Sequence, residues 1–169
     1  MRIALFFLLV FLFGCSDNTS KIKELQAEVN ALNSQNDSLK KLVSLSKPGL
    51  GELMLDLQVH HNKLWFAGRE GNWPLAKFEY DEMLEVATQA QAIETDRPEV
   101  KLFKPMLYSH LDSIKKAIKD RDVHEFTESF YSLTNACNNC HKNTNFQFNK
   151  IQTPEHPPYS NQDFSIDNN

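Results

Sequence analysis

The sequence predicts an all-α protein, an up-down-up-down four-helix bundle preceded by a short coiled-coil stalk. Three observations predict it. Apolar residues from Ile22 onward recur in steps of three and four, with no convincing period-two strands. Gly, Pro and Asp punctuation cuts residues 50–145 into four segments joined by short turns. A chain of 169 residues with 41% hydrophobic composition has enough apolar material for one core but not two.

Taken in order, Arg2 precedes an apolar run over residues 3–13 that is too short for a conventional spanning helix and ends at Gly14-Cys15. Residues 1–14 therefore read as a signal peptide. Residues 15–49 form a tether. After a short polar spacer, Ile22, Leu25, Val29, Leu32, Asn36, Leu39 and Val43 fall on a heptad seam with Asn36 at an a position, so a coiled coil and a homo-oligomer through it are expected. Pro48-Gly49 breaks that helix and marks the boundary with the folded domain.

The domain of residues 50–145 divides as follows. Helix A covers residues 50–67 and stops at Gly68, and Pro74 suits the first turn of helix B, which continues to about Glu94. Asp96 and Pro98 open helix C, which Pro105 kinks or splits before Lys119. Asp122 with Glu125 three residues later makes an acidic variant of the capping box and starts helix D, with Phe126, Phe130, Leu133 and Cys137 on one face. Residues 146–169, rich in Asn, Pro and aromatics, are expected to be irregular and to wrap over the bundle.

A net charge of -4 and a pI near 5.8, with no dense run of Lys or Arg, give no electrostatic case for nucleic acid. The three cysteines do not form a disulfide framework, because Cys15 stands alone and Cys137 and Cys140 form a pair far from it.

Cys137-Asn138-Asn139-Cys140-His141 is the C-x-x-C-H pattern of c-type haem attachment. Two thiols three residues apart bracket one edge of a porphyrin, adding to its vinyl groups, while the adjacent imidazole takes an axial iron position. One covalent haem c is the expected cofactor. Two other readings of the pair compete. A redox-active C-x-x-C sits at a helix N-terminus, where the dipole lowers the thiol pKa, whereas this pair falls near a helix end and has no βαβ pattern around it. A zinc site on Cys137, Cys140 and His141 needs a fourth ligand and an awkward chelate from adjacent residues.

Leu12-Phe13-Gly14-Cys15 resembles the bacterial lipobox, although Phe13 is bulkier than is usual there. That resemblance implies lipidation at Cys15 and a lipid-anchored, periplasm-facing protein of the cell envelope. Ser16, in place of an inner-membrane retention aspartate, favours the outer membrane. Four helices with C-x-x-C-H at the end of the last one resemble the cytochrome c-prime and c-556 group over residues 50–142. Residues 57–65 and the Pro158-Tyr159-Ser160-Asn161-Gln162 segment also resemble an uncharacterised set of bacterial haem-motif proteins, a resemblance that implies no known activity.

In the cytochrome c-prime and c-556 group the sixth iron position faces helix A, and here helix A offers Met54, His60 and His61. The resemblance maps a methionine ligand to Met54 only loosely. One of the two histidines is preferred, because imidazole is a good iron ligand and a buried imidazole needs a polar partner. Adjacent helical residues cannot both face one iron, so at most one of them serves. His110 and His124 are read as surface or hydrogen-bonded histidines, and Arg69, Arg97 and Lys101 as unplaced candidates for the haem propionates.

The expected function is one-electron transfer between periplasmic redox proteins by a lipid-anchored monohaem carrier, which is not an enzyme. The alternatives are haem-based binding or sensing of a small gas such as nitric oxide at an open sixth position, and a non-haem coiled-coil envelope lipoprotein whose cysteines form a disulfide.

Overall fold

The computed structural model describes residues 2–166, with side chains from residue 18 onward. The side chains of the apolar run 3–13 and of Cys15, the expected lipidation site, lie outside the described residues. Every regular element among the described residues is a helix. None of these helices is long and apolar enough to cross a membrane. The chain divides into two compact units, Met1–Lys47 and Pro48–Asn169.

The first unit is one uninterrupted helix, α1 (Arg2–Ser46). The polar spacer expected after Cys15 is helical too, because residues 16–21 contain neither Gly nor Pro to stop it. All six apolar residues of the heptad seam, from Ile22 to Val43, are exposed along α1.

The second unit contains α2 (Leu50–Arg69), α3 (Trp73–Ile93), α4 (Pro98–Lys101), α5 (Phe103–Met106), α6 (Tyr108–Asp120) and α7 (Val123–Asn143). Helix α2 packs against α3 and α7, and α6 packs against the same two. The apolar spacing accounts for the faces they bury. On α2 the stripe is Leu50, Leu53, Leu57, His61, Leu64 and Gly68; on α7 it is Phe126, Phe130, Leu133 and Thr134.

Local chemistry sets the helix boundaries. Gly68 does not end α2; it lies within the helix because a Cβ there would sit 2.1 Å from Phe126 Cζ, so glycine is what lets α2 and α7 approach. Gly71 makes the turn instead, with φ of 69°. Asn72 caps α3 through Oδ1, which accepts from Leu75 N at 3.3 Å, and Pro74 lies in its first turn. The expected split at Pro105 takes the form of three pieces, α4, α5 and α6, with breaks at Leu102 and Leu107. Asp122 Oδ1 accepts from His124 N at 2.9 Å and Glu125 N at 3.0 Å and starts α7.

Among the described residues the irregular tail is tied down at two places. Phe164 is buried against Phe66, at a ring separation of 5.6 Å, and Asn72 Nδ2 donates to the carbonyls of Phe164 and Ser165. Nearer α7, Asn138 and His141 both bond to the chain between residues 149 and 151.

Candidate functional site

Helices α2 and α7 run antiparallel with a constant register. Gly68 meets Phe126, Trp65 stacks on Phe130 at 4.8 Å, and His61 bonds to Thr134 at 2.9 Å. Each turn toward the start of α2 matches a turn toward the end of α7. Continued for two more turns, the register sets Met54 level with His141.

At that level lies a cavity of about 430 Å³, within the range of roughly 300–1,000 Å³ typical of small-molecule sites. Its walls are predominantly apolar: Leu50, Met54 and Leu57 from α2, and Leu102, Phe103 and Leu107 from the broken segment before α6. Cys137, Cys140 and His141 open onto it from the last two turns of α7, and Phe146, Asn149 and Ile151 of the tail close one side.

Cys137 lies deep in the protein, and the surface it retains faces the cavity. Burial pushes its thiol up to about 12, and the neighbouring Cys140 adds to the effect. The Cys140 thiol is raised as well, by burial first and then by the Glu99 carboxylate. Both thiols are therefore neutral at physiological pH. A redox-active cysteine needs the opposite shift, so this environment does not suit a C-x-x-C nucleophile.

His141 Nδ1 lies 2.6 Å from the Asn149 carbonyl oxygen. A carbonyl only accepts, so Nδ1 carries a proton, which leaves Nε2 as the nitrogen that a ligating ring would offer. This is the arrangement in which a ligating histidine is usually held. Among the described residues no group of three or more His, Cys, Asp or Glu side chains is gathered for a metal ion, so the zinc reading gains no support. Haem asks less of the protein, since the porphyrin supplies four of the iron's ligands. An apolar cavity, two thiols at its wall and an imidazole whose Nε2 is not engaged by Asn149 fit that group.

The two adjacent histidines of α2 part company. His61 is buried and lines the cavity. Its Nε2 is bonded to Thr134 Oγ1, whose own hydrogen goes to the Phe130 carbonyl at 3.0 Å. His61 is thus the donor, and its proton is on Nε2. Burial lowers its pKa to about 4. His60 faces α3 instead. Its Nδ1 is 2.7 Å from Oε2 of the fully buried Glu79, and Lys63 Nζ is 2.8 Å from Oε1 as an ion pair whose alignment falls short of a hydrogen bond. The structure brings Met54 and His61 to the cavity and leaves His60 outside it.

The other candidates also separate. Arg97 lines the cavity, whereas Arg69 lies over the Trp65 ring at 5.3 Å and Lys101 is exposed. His110 Nδ1 is 3.0 Å from Ser132 Oγ, and His124 is exposed at the start of α7. Sequence reasoning missed Glu99, whose Oε2 is buried at the cavity without a hydrogen-bond partner, and the tail residues Asn149 and Ile151. The Pro98-Glu99 start of α4 was a signal for the former only as a helix terminus, and the tail carries no periodicity to place the latter. Comparison with family models, with curated proteins and with solved structures gives no match for this chain.

Proposed function

We propose that this protein is a lipid-anchored monohaem c-type cytochrome of the cell envelope, passing single electrons between periplasmic redox proteins. Haem c is attached through Cys137 and Cys140, and His141 is the proximal ligand. In this reading α2, α3, α6 and α7 are the four members of an up-down-up-down bundle of the cytochrome c-prime and c-556 type. Cys15 carries the lipid of an outer-membrane anchor, and α1 is the tether, pairing with a second copy through its exposed seam.

The observation that carries the reading is the apolar cavity in which two thiols meet an imidazole with its Nδ1 proton already committed to a carbonyl. Bound there, haem supplies a one-electron iron centre. The chain holds it, excludes water from one face with leucines and phenylalanine, and sets its potential through the ligands.

For the sixth position the register favours Met54 over the histidines preferred from sequence. Met54 is level with His141. His61 lies seven residues further along α2, about 10 Å at 1.5 Å per residue, and its Nε2 is already given to Thr134. His60 is held by Glu79. A His/Met pair places the potential higher than two histidines do.

The test is a visible spectrum of the full chain produced with cytochrome c maturation machinery, oxidised, reduced, and reduced with carbon monoxide. Sharp low-spin bands that ignore carbon monoxide in the parent, and bind it in Met54→Ala, support this reading. A high-spin parent that takes carbon monoxide at once favours gas binding. Absence of covalent haem removes both and leaves the non-haem lipoprotein.

A further inference from the structure

We propose that Asn138 is the positioning residue for His141, acting through the C-terminal segment that it clamps to the end of α7. The inference rests on the haem reading above. The C-x-x-C-H chemistry makes no demand on either residue between the cysteines, yet Asn138 is engaged on both of its polar atoms. Its Nδ2 donates to the Ile151 carbonyl at 2.8 Å, and its Oδ1 accepts from Ile151 N at 2.8 Å. The carboxamide thereby acts as one more peptide group paired with an extended chain. Aspartate lacks the donor and alanine lacks both groups.

Two residues before Ile151, Asn149 offers the carbonyl that accepts from His141 Nδ1 at 2.6 Å. The chain reaches this point by leaving α7, turning at Asn145 with φ of 66°, and closing with Phe146 N on the His141 carbonyl at 2.7 Å. A small ring results: the haem motif, the turn, the strap of residues 146–151, and back to the motif. Asn138 and His141 are three residues apart on one helix face, so both reach the same strap.

Between these bonds the strap has little else to hold it. Phe146, Phe148, Asn149 and Lys150 are exposed, and only Ile151 is half-buried. Without the clamp the Asn149 carbonyl is no longer presented at a fixed point, and His141 Nδ1 bonds to water in its place. A ring nitrogen bonded to a fixed carbonyl makes the opposite nitrogen a stronger donor to iron. Asn138 therefore acts on the potential without touching the haem.

The experiment compares haem-loaded full-length parent, Asn138→Ala, Asn139→Ala and Ile151→Pro. Asn139 is the exposed neighbour inside the same motif. Ile151→Pro removes the N–H of the clamp from outside the motif, which keeps the test alive if Asn138→Ala attaches haem poorly. Hydrogen exchange over residues 146–151 and the reduction potential are the two readouts. Exchange should quicken about tenfold or more in Asn138→Ala and Ile151→Pro, as expected for loss of one or two hydrogen bonds. The potential should rise in both, with Asn139→Ala at the parent values. Unchanged exchange in Asn138→Ala overturns the clamp. Faster exchange at the parent potential overturns the action on His141. A parent chain that takes up no covalent haem overturns the haem reading and this proposal together, a result distinct from either of those.

Discussion

His61 shows how one buried residue couples stability to pH. Its imidazole is neutral in the fold, donates to Thr134 and packs on Phe130 at 4.3 Å. Burial holds its pKa at about 4 in the folded protein against an ordinary value of 6.5. The unfolded chain therefore takes up the proton at higher pH than the folded one, so this contribution is complete above pH 6.5 and is lost as pH falls toward 4. Its full size is about 3 kcal/mol. Urea unfolding of the haem-free chain should show falling stability over that window, with a flatter profile in His61→Phe; an equally steep profile in the variant assigns the loss to other groups. Gly68 makes the complementary point about space. Alanine gains about 1 kcal/mol in helix propensity. It also forces a methyl into the ring of the fully buried Phe126. Overpacking of that kind costs about 1–3 kcal/mol, so Gly68→Ala should lower the urea midpoint. A raised midpoint would mean that α2 and α7 separate more easily than their packing implies.

Among the elements, what could be read from sequence was what local chemistry decides. Asp122 accepts from two backbone amides, Pro98 opens a helix, and Pro105 lies where one helix becomes three pieces. The end of α2 was misplaced because a glycine serves equally well as a stop or as a gap for a neighbouring ring, and only the tertiary partner distinguishes them. The same holds for His60 and His61. They are about 100° apart on one helix, and whether each faces α3 or α7 depends on how the helices dock. Helix α1 carries its own prediction. A parallel pairing sets Asn36 against Asn36, and no like charges meet between the g and e positions of successive heptads, where Lys21 faces Gln26, Glu28 faces Asn33 and Gln35 faces Lys40. An antiparallel pairing buries the Asn36 amide against leucine. Sedimentation of the full chain in detergent should give a dimer, and Leu32→Lys a monomer. A monomeric parent, or an undisturbed dimer in Leu32→Lys, removes the coiled coil.

For the molecule as a whole, the C-x-x-C-H pattern was legible because it lies within five consecutive residues and needs no fold to bring it together. The cavity around it was not, since it draws on the start of α2, the breaks beside α5 and a tail without periodicity. The thiols at its wall also bear on the order of events in the life of the chain. Cys137 lines the cavity, yet burial pushes its thiol up to about 12, so its thiolate is almost absent at neutral pH inside the finished fold. If haem is attached there, as proposed above, the scarce thiolate favours bond formation at that sulfur before the last turns of α7 and the strap of residues 146–151 have closed. On the haem reading, a chain that meets haem before it folds should therefore be joined to it faster than one that has already folded.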